Sequence, residues 1–204
     1  MDRFSGFVAG CAGVALILGL AACASTPKIT REDSSKQIDI SGNWNDTDSQ
    51  LVSAEMVKDS LGRPWVDDFI VNKGVKPRVI VGTVLNKSHE HINTETFVDD
   101  LERELTNSGR VKFVASKEQR DEVRQERSDM AQNASADTAK SSGQEYAADF
   151  MLRGQINTIM DEAGTTALKY YQVELELIDT TTNEKVWIGQ KKIKKLVQRN
   201  SVKF

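Results

Sequence analysis

Few residues in this chain offer chemistry. Ser88-His89-Glu90-His91 sets a hydroxyl, two imidazoles and a carboxylate in consecutive positions, and it holds both histidines of the chain. Such a group could give two ligands to a metal, or a nucleophile beside its base. A protein metal site needs further ligands at characteristic spacing, and neither CxxC nor HExxH occurs in the sequence. An exposed polar loop accounts for the four residues. Asn43, Asn45, Asp46 and Asp48 invite a calcium reading. A calcium loop counted from Asn43 requires glycine at position 48 and glutamate at position 54, where Asp48 and Ala54 stand. Helix capping explains these side chains instead. Val81-Gly82-Thr83-Val84-Leu85-Asn86-Lys87-Ser88 ends like a phosphate-binding loop, but Val81 and Asn86 fill both glycine positions. Without those glycines the backbone cannot cradle phosphate. Asp99-Asp100 falls on a predicted helix and reads as a solvated face. A hydrolase or transferase needs a nucleophile, a base and an orienting group within hydrogen-bond reach. No such set is visible, so no catalytic residue, metal or cofactor is expected.

Chemistry of another kind is written at Cys23. The apolar run from Phe7 to Ala22 is shorter than the roughly 20 residues a helix needs to cross a bilayer. It is interrupted by Gly10, Gly13 and Gly19 and fits the hydrophobic region of an export signal. Leu20-Ala21-Ala22-Cys23 closes the run, and the polar stretch Ala24-Ser25-Thr26-Pro27-Lys28 follows. Small residues before a cysteine in this setting look like a bacterial lipobox. On that reading residues 1–22 are a lipoprotein signal peptide, and Cys23 becomes an acylated N-terminus. The competing reading is a plain secretory signal, with Cys23 incidental to the cleavage site. Acyl chains contribute about 0.8 kcal/mol per buried CH₂, and several chains make an anchor effectively permanent. Ala24 stands where an aspartate would, by resemblance to enteric lipoproteins, mark retention at the inner membrane. The expected location is therefore the outer membrane, with the domain facing the periplasm. Cys11 leaves with the signal and Cys23 carries lipid, so the mature domain has no disulfide and its core must hold itself together.

Cleavage would leave about 180 residues, a size suited to one domain with a tether. The formal charge is −3, charged residues make up 28% and aromatics 6%, which fits a solvated α/β domain rather than a nucleic-acid binder. Residues 23–37 read as a flexible tether, too polar to bury apolar surface. Fully extended, it reaches about 50 Å at 3.3–3.6 Å per residue. The globular domain is expected over residues 38–197, with a basic C-terminal tail at 198–204.

Within the domain, Thr47 and Gln50 have capping-box spacing before the apolar positions Leu51, Ala54, Val57 and Leu61, and Gly62 can stop that helix. Pro64 suits the first turn of a second helix carrying Trp65, Phe69 and Ile70 and ended by Gly74. Arg78 to Leu85 is a near-continuous β-branched run, expected as a strand buried on both faces. A helix from about Thr94 to Ser108 aligns Phe97, Val98, Leu101 and Leu105, with Gly109 at its C′ position. The short strand Val111–Val114 completes a strand–helix–strand unit. Ser116 and Gln119 form a capping box for an exposed cover helix running to about Gln132. Ala136, Ala139, Gly143 and Tyr146 have helical spacing as well. Phe150, Leu152, Gly154 and Ile156 alternate with polar residues, as do Tyr171, Val173, Leu175 and Leu177, which marks antiparallel strands with one wet face. Val186 and Ile188 are expected to resume the inward set on a last strand. The fold class is α/β: a single small domain, a mixed sheet with an antiparallel C-terminal meander, and helices packed on it.

Two C-terminal features suggest contact rather than catalysis. Lys191, Lys192, Lys194, Lys195, Arg199 and Lys203 follow Gln190 with no acidic residue among them. They either steer an anionic partner surface or protect an edge strand from pairing. Trp187 lies on the opposite parity from Val186 and Ile188. It is either an outward-facing anchor for a partner or covered by a helix.

The segment Ser41-Gly42-Asn43-Trp44-Asn45-Asp46-Thr47-Asp48-Ser49 resembles the opening motif of the LpoB family of lipoprotein activators of penicillin-binding proteins. Ala148-Asp149-Phe150-Met151-Leu152-Arg153-Gly154-Gln155-Ile156 is similar to a strand signature of that family and its relatives. So is Leu177-Ile178-Asp179-Thr180 followed by Asn183-Glu184-Lys185-Val186-Trp187. The last two motifs are shared with related α/β domains, including the N-terminal domain of TolB and curli-secretion lipoproteins. The resemblance runs from about Ile38 to Val197. It implies a non-enzymatic outer-membrane lipoprotein that docks on a bifunctional penicillin-binding protein of the inner membrane, a peptidoglycan synthase, and stimulates it. The tether departs from the family pattern of long, Pro-rich tethers, being short with Pro27 alone. The alternative is an envelope structural or secretion-assembly lipoprotein of the same fold.

Overall fold

Capping chemistry sets the first helix. Asn45 accepts the Asp48 N–H at 3.1 Å through its side chain, and the Asp48 carboxylate accepts the Asn45 N–H at 3.0 Å. This reciprocal box opens α1 (Asp46–Leu61). The box therefore sits two residues earlier than the Thr47/Gln50 spacing suggested. The buried stripe is rotated with it: Val52, Met56, Val57 and Leu61 face inward, while Leu51 is exposed. The computed structural model describes residues 29–34, 36–135, 137–138 and 145–199. Residues 1–34 and 35–204 are separate units; every described element lies in the second, and the described part of the first is neither helix nor strand.

After α1 come α2 (Trp65–Lys73), β1 (Arg78–Lys87), α3 (Thr94–Asn107), β2 (Lys112–Phe113) and α4 (Lys117–Asn133). Three long strands follow: β3 (Phe150–Ala163), β4 (Thr166–Asp179) and β5 (Lys185–Gln198). The sheet order is β2-β1-β3-β4-β5. β1 is parallel to both β2 and β3, and β3, β4 and β5 form an antiparallel meander. The α/β reading with its mixed sheet and C-terminal meander holds. Gly74 takes φ +70 at the end of α2, where a left-handed residue stops a helix without a Cβ penalty. The Ser116–Gln119 capping box opens α4, whose described residues are all at least partly exposed.

One face of the sheet carries the core. Val79, Val81, Phe150, Leu152, Ile156, Tyr171, Val173, Leu175 and Leu177 are buried there with the inward faces of α1, α2 and α3. Trp65 and Phe69 close on Phe150 edge to face, with centroids at 5.0 Å and 5.4 Å. Among the described residues the opposite face carries no continuous helical cover and mixes charged and amide residues with exposed Met151, Ile159, Ile188 and Leu196, and β1 alternates in burial rather than being covered on both sides. The reason is that the helices supply apolar stripes to one face only. Tyr146 lies in a non-helical segment with the Arg78 guanidinium 4.0 Å from its ring centroid. Of the other residues in the expected helical spacing, Ala136, Ala139 and Gly143 lie outside the described residues. Among the described residues, no helix is long and apolar enough to cross a membrane.

Candidate functional site

Two strands determine what meets the helices at the C-terminal end of the sheet. On β4 the inward row reads Ala167, Lys169, Tyr171, Val173, Leu175, Leu177, so a lysine joins the buried side and is only 9% exposed. On β5 a bulge resets the parity. Leu177 pairs with Trp187 but Ile178 pairs with Lys185, which leaves Val186 as the extra residue. The bulge turns Trp187 inward, to 6% exposure, and Ile188 outward, to 63%. This corrects the expected inward set of Val186 and Ile188, and it removes the outward indole proposed as a partner anchor. The Trp187 N–H donates to the Asp59 carboxylate of α1 at 2.9 Å. That bond is the main reason Asp59 ionises below its ordinary range; Arg63 adds to it, against a smaller opposing effect of burial. The indole lies over Gly189, where an added Cβ would collide with the ring.

Past the bulge the inward row of β5 is Gly189, Lys191, Ile193, Lys195 and Val197. Two lysines of the basic cluster therefore point at α1. Lys191 pairs with Glu55. Lys195 pairs with Asp48 at 2.6 Å and Asp39 at 2.7 Å, and donates to the Asn43 carbonyl at 3.0 Å. Burial pushes the Lys195 ammonium down, but Asp39 and Asp48 outweigh it and hold it above its ordinary value. Lys192 and Lys194 take the other parity and remain exposed on the edge strand, which fits edge protection.

Lys195 clasps the chain that enters α1. Gly42 turns with φ +71, a conformation that favours glycine, and a Cβ there would strike Val197. Its carbonyl accepts the Tyr171 hydroxyl at 3.2 Å. Trp44 packs edge-on against Tyr171 and Phe97, with centroids at 5.7 Å and 6.1 Å. Its indole N–H donates to Ser49 at 3.1 Å.

The hub of this corner is Glu90, from the Ser88-His89-Glu90-His91 loop. Its carboxylate accepts Lys169 Nζ at 2.7 Å, the Tyr171 hydroxyl at 2.8 Å and the Trp44 backbone N–H at 3.1 Å. Lys169 also donates to the Asn43 side chain. Burial raises the pKa of Glu90, but the Lys169, Trp44 and Tyr171 hydrogen bonds together bring it below its ordinary 4.5. Burial, with the Glu90 carboxylate beside it, pushes the Tyr171 hydroxyl well up, so it stays a donor. The histidines lie outside this hub. His89 Nδ1 sits 3.1 Å from Thr158 Oγ1, and His91 is exposed. Among the described residues no group of three or more His, Cys, Asp or Glu is placed to hold a metal.

The Glu90 shift gives a pH expectation. The unfolded chain takes up this proton first as pH falls, because the folded carboxylate has the lower pKa. The stability due to Glu90 is therefore present above pH 4.5 and is lost as pH falls through the folded value. Urea titrations from pH 7 to pH 3 should show stability declining below that point, with a shallower decline in Glu90→Gln.

The arrangement around Glu90 binds and positions backbone. Leu20, Ala21, Ala22 and Cys23 lie outside the described residues. A family model described as the peptidoglycan-synthase activator LpoB matches residues 48–193, from the first turn of α1 into β5. No curated protein matches the chain significantly. Among solved structures, the chain is similar to LpoB of E. coli determined by NMR, at 16% identity and TM-score 0.41, covering 98% of this chain and 96% of that one. It is similar to the LpoB C-terminal domain from Escherichia coli at 15% identity and TM-score 0.43, covering 72% of this chain and 98% of that one. Lipoprotein GNA1162 from Neisseria meningitidis follows at 13% identity and TM-score 0.37, covering 62% of this chain and 88% of that one.

Proposed function

We propose, since this chain belongs to the LpoB family of peptidoglycan-synthase activators, that it is an outer-membrane lipoprotein, anchored at Cys23, that binds and stimulates a bifunctional penicillin-binding protein. The observation that carries this reading is the family match over residues 48–193, which runs from the first turn of α1 to the middle of β5. The site geometry supports contact rather than chemistry. Side chains of the entering segment are spent on fixing it to β4, β5 and the Glu90 loop, which gives the tether a defined point of departure. An activator of this kind works by binding one state of its partner better than another. A tenfold change in the active population requires about 1.4 kcal/mol of preferential binding. With a tether limited to about 50 Å, the partner extends toward the membrane that holds Cys23.

The experiment is retention of periplasmic synthases on the domain, followed by glycan polymerisation with and without it. Selective capture of a bifunctional synthase and a several-fold rise in polymerisation are expected. Absence of both, or a closed ring-shaped oligomer that ignores the synthase, would sink the reading. Anchoring is tested separately: Cys23→Ser should abolish labelling by radioactive palmitate and release the protein from outer-membrane fractions. Labelling that persisted would remove Cys23 as the anchor.

A further inference from the structure

The edge of the sheet at β1 is unfinished. β2 pairs with β1 only at Arg78↔Lys112 and Val79↔Phe113, and the chain then turns away into α4. From Ile80 to Lys87, β1 has no strand beside it on that side among the described residues. Val79 accepts the Val114 N–H on this edge, so strand alternation directs the N–H and C=O of Val81 the same way. Most unpaired edges are protected. Here the edge instead forms the floor of a groove of about 720 Å³, walled by α3 from Thr94 to Glu102 and by the first turn of α4. The contrast with β5 is informative, because that edge carries Lys192 and Lys194, which discourage pairing.

The groove has a sign. Its α3 wall presents Glu95, Asp99 and Glu102, and Glu118 stands on the α4 wall. Lys117 and Arg120 lie on the α4 side as well, and Arg120 is engaged with the Ala115 carbonyl at 3.0 Å. The balance is acidic, and the acids are concentrated on the helix facing the free edge. Burial and the neighbouring Asp99 charge raise the pKa of Glu102, as befits a carboxylate short of a cation.

We propose that this groove docks an extended, lysine- or arginine-bearing segment of another polypeptide, which adds to the sheet as a strand along β1 where β2 stops. Main-chain hydrogen bonds to the edge supply affinity, and alternate basic side chains facing Glu95, Asp99 and Glu102 supply selectivity. The inference does not depend on the partner being a synthase.

The probe is a synthetic heptapeptide alternating lysine and valine, added to the isotope-labelled mature protein. Binding should shift the Val81 amide resonance and slow its hydrogen exchange. The glutamate–valine counterpart should not bind. A fully N-methylated lysine–valine peptide keeps the charge but cannot donate, and it should bind at least tenfold more weakly. The combined variant Glu95→Gln, Asp99→Asn and Glu102→Gln should keep its fold by circular dichroism and lose about tenfold in affinity, as expected for several exposed charge pairs. Three results would overturn the proposal: no effect at Val81, equal binding of the methylated peptide, or protection of Val81 by concentration-dependent self-association without peptide. None of them bears on synthase activation, which is read by polymerisation.

Discussion

Replacing Glu90 by alanine is expected to destabilise the domain by about 3–5 kcal/mol, the usual cost of removing one partner from a buried ion pair. At this size that corresponds to a melting temperature lower by roughly 10 °C. Three donors converge on the carboxylate, from Lys169, Tyr171 and the Trp44 backbone. Without it the Lys169 ammonium keeps only Asn43 among the described residues, at a position largely closed to water. The Tyr171 hydroxyl falls back on the longer bond to the Gly42 carbonyl. The measurement is urea unfolding of Glu90→Ala, Lys169→Met and the double variant. Removing both charges should cost less than removing Glu90 alone, because the double variant has no stranded ammonium. A double variant as unstable as the sum of the two singles would show that Glu90 acts through packing and not through its charge.

Trp187→Ala is expected to cost a similar amount, about 3–5 kcal/mol, the range for deleting a large buried aromatic. The indole fills the space between β5 and α1 and lines a small apolar void with Met56, Val57 and Leu177. Its loss also strips Asp59 of a donor. Trp187→Phe should recover part of the difference by filling volume without restoring that bond. Gly189→Ala should damage the same region from beneath, since its methyl group needs the space the indole occupies. Calorimetry on the three variants checks the order. A Trp187→Ala variant with unchanged melting would contradict the buried placement.

Elements governed by local rules were legible in the sequence. Gly74 and Gly109 stop their helices with positive φ, the Ser116–Gln119 box opens α4, and alternation identifies β3 and β4. What local patterns could not show depends on residues far apart in the chain. The Val186 bulge inverts everything after it, and nothing in Lys185-Val186-Trp187-Ile188 distinguishes the bulged register from the regular one. The α1 box is ambiguous by two residues in the sequence, because Thr47 and Gln50 fit the spacing as well as Asn45 and Asp48 do. Lys169 and Lys195 occupy inward positions that periodicity reserves for apolar residues; they are tolerated because Glu90, Asp39 and Asp48 arrive from elsewhere. Glu90 itself looked like part of a polar loop. Its importance lies in partners 46, 79 and 81 residues away.

The clasp at Asp39 to Asn45 also has a mechanical meaning. Tension arriving along the preceding chain meets side-chain ion pairs to Lys195 on the edge strand before it meets any backbone ladder. Those pairs are short-ranged and can re-form, whereas a strand pulled from the sheet exposes the core. The segment can therefore yield and reseat under load while β3, β4 and β5 stay zipped, so strain along the chain is taken up at the collar of the domain and not in its body.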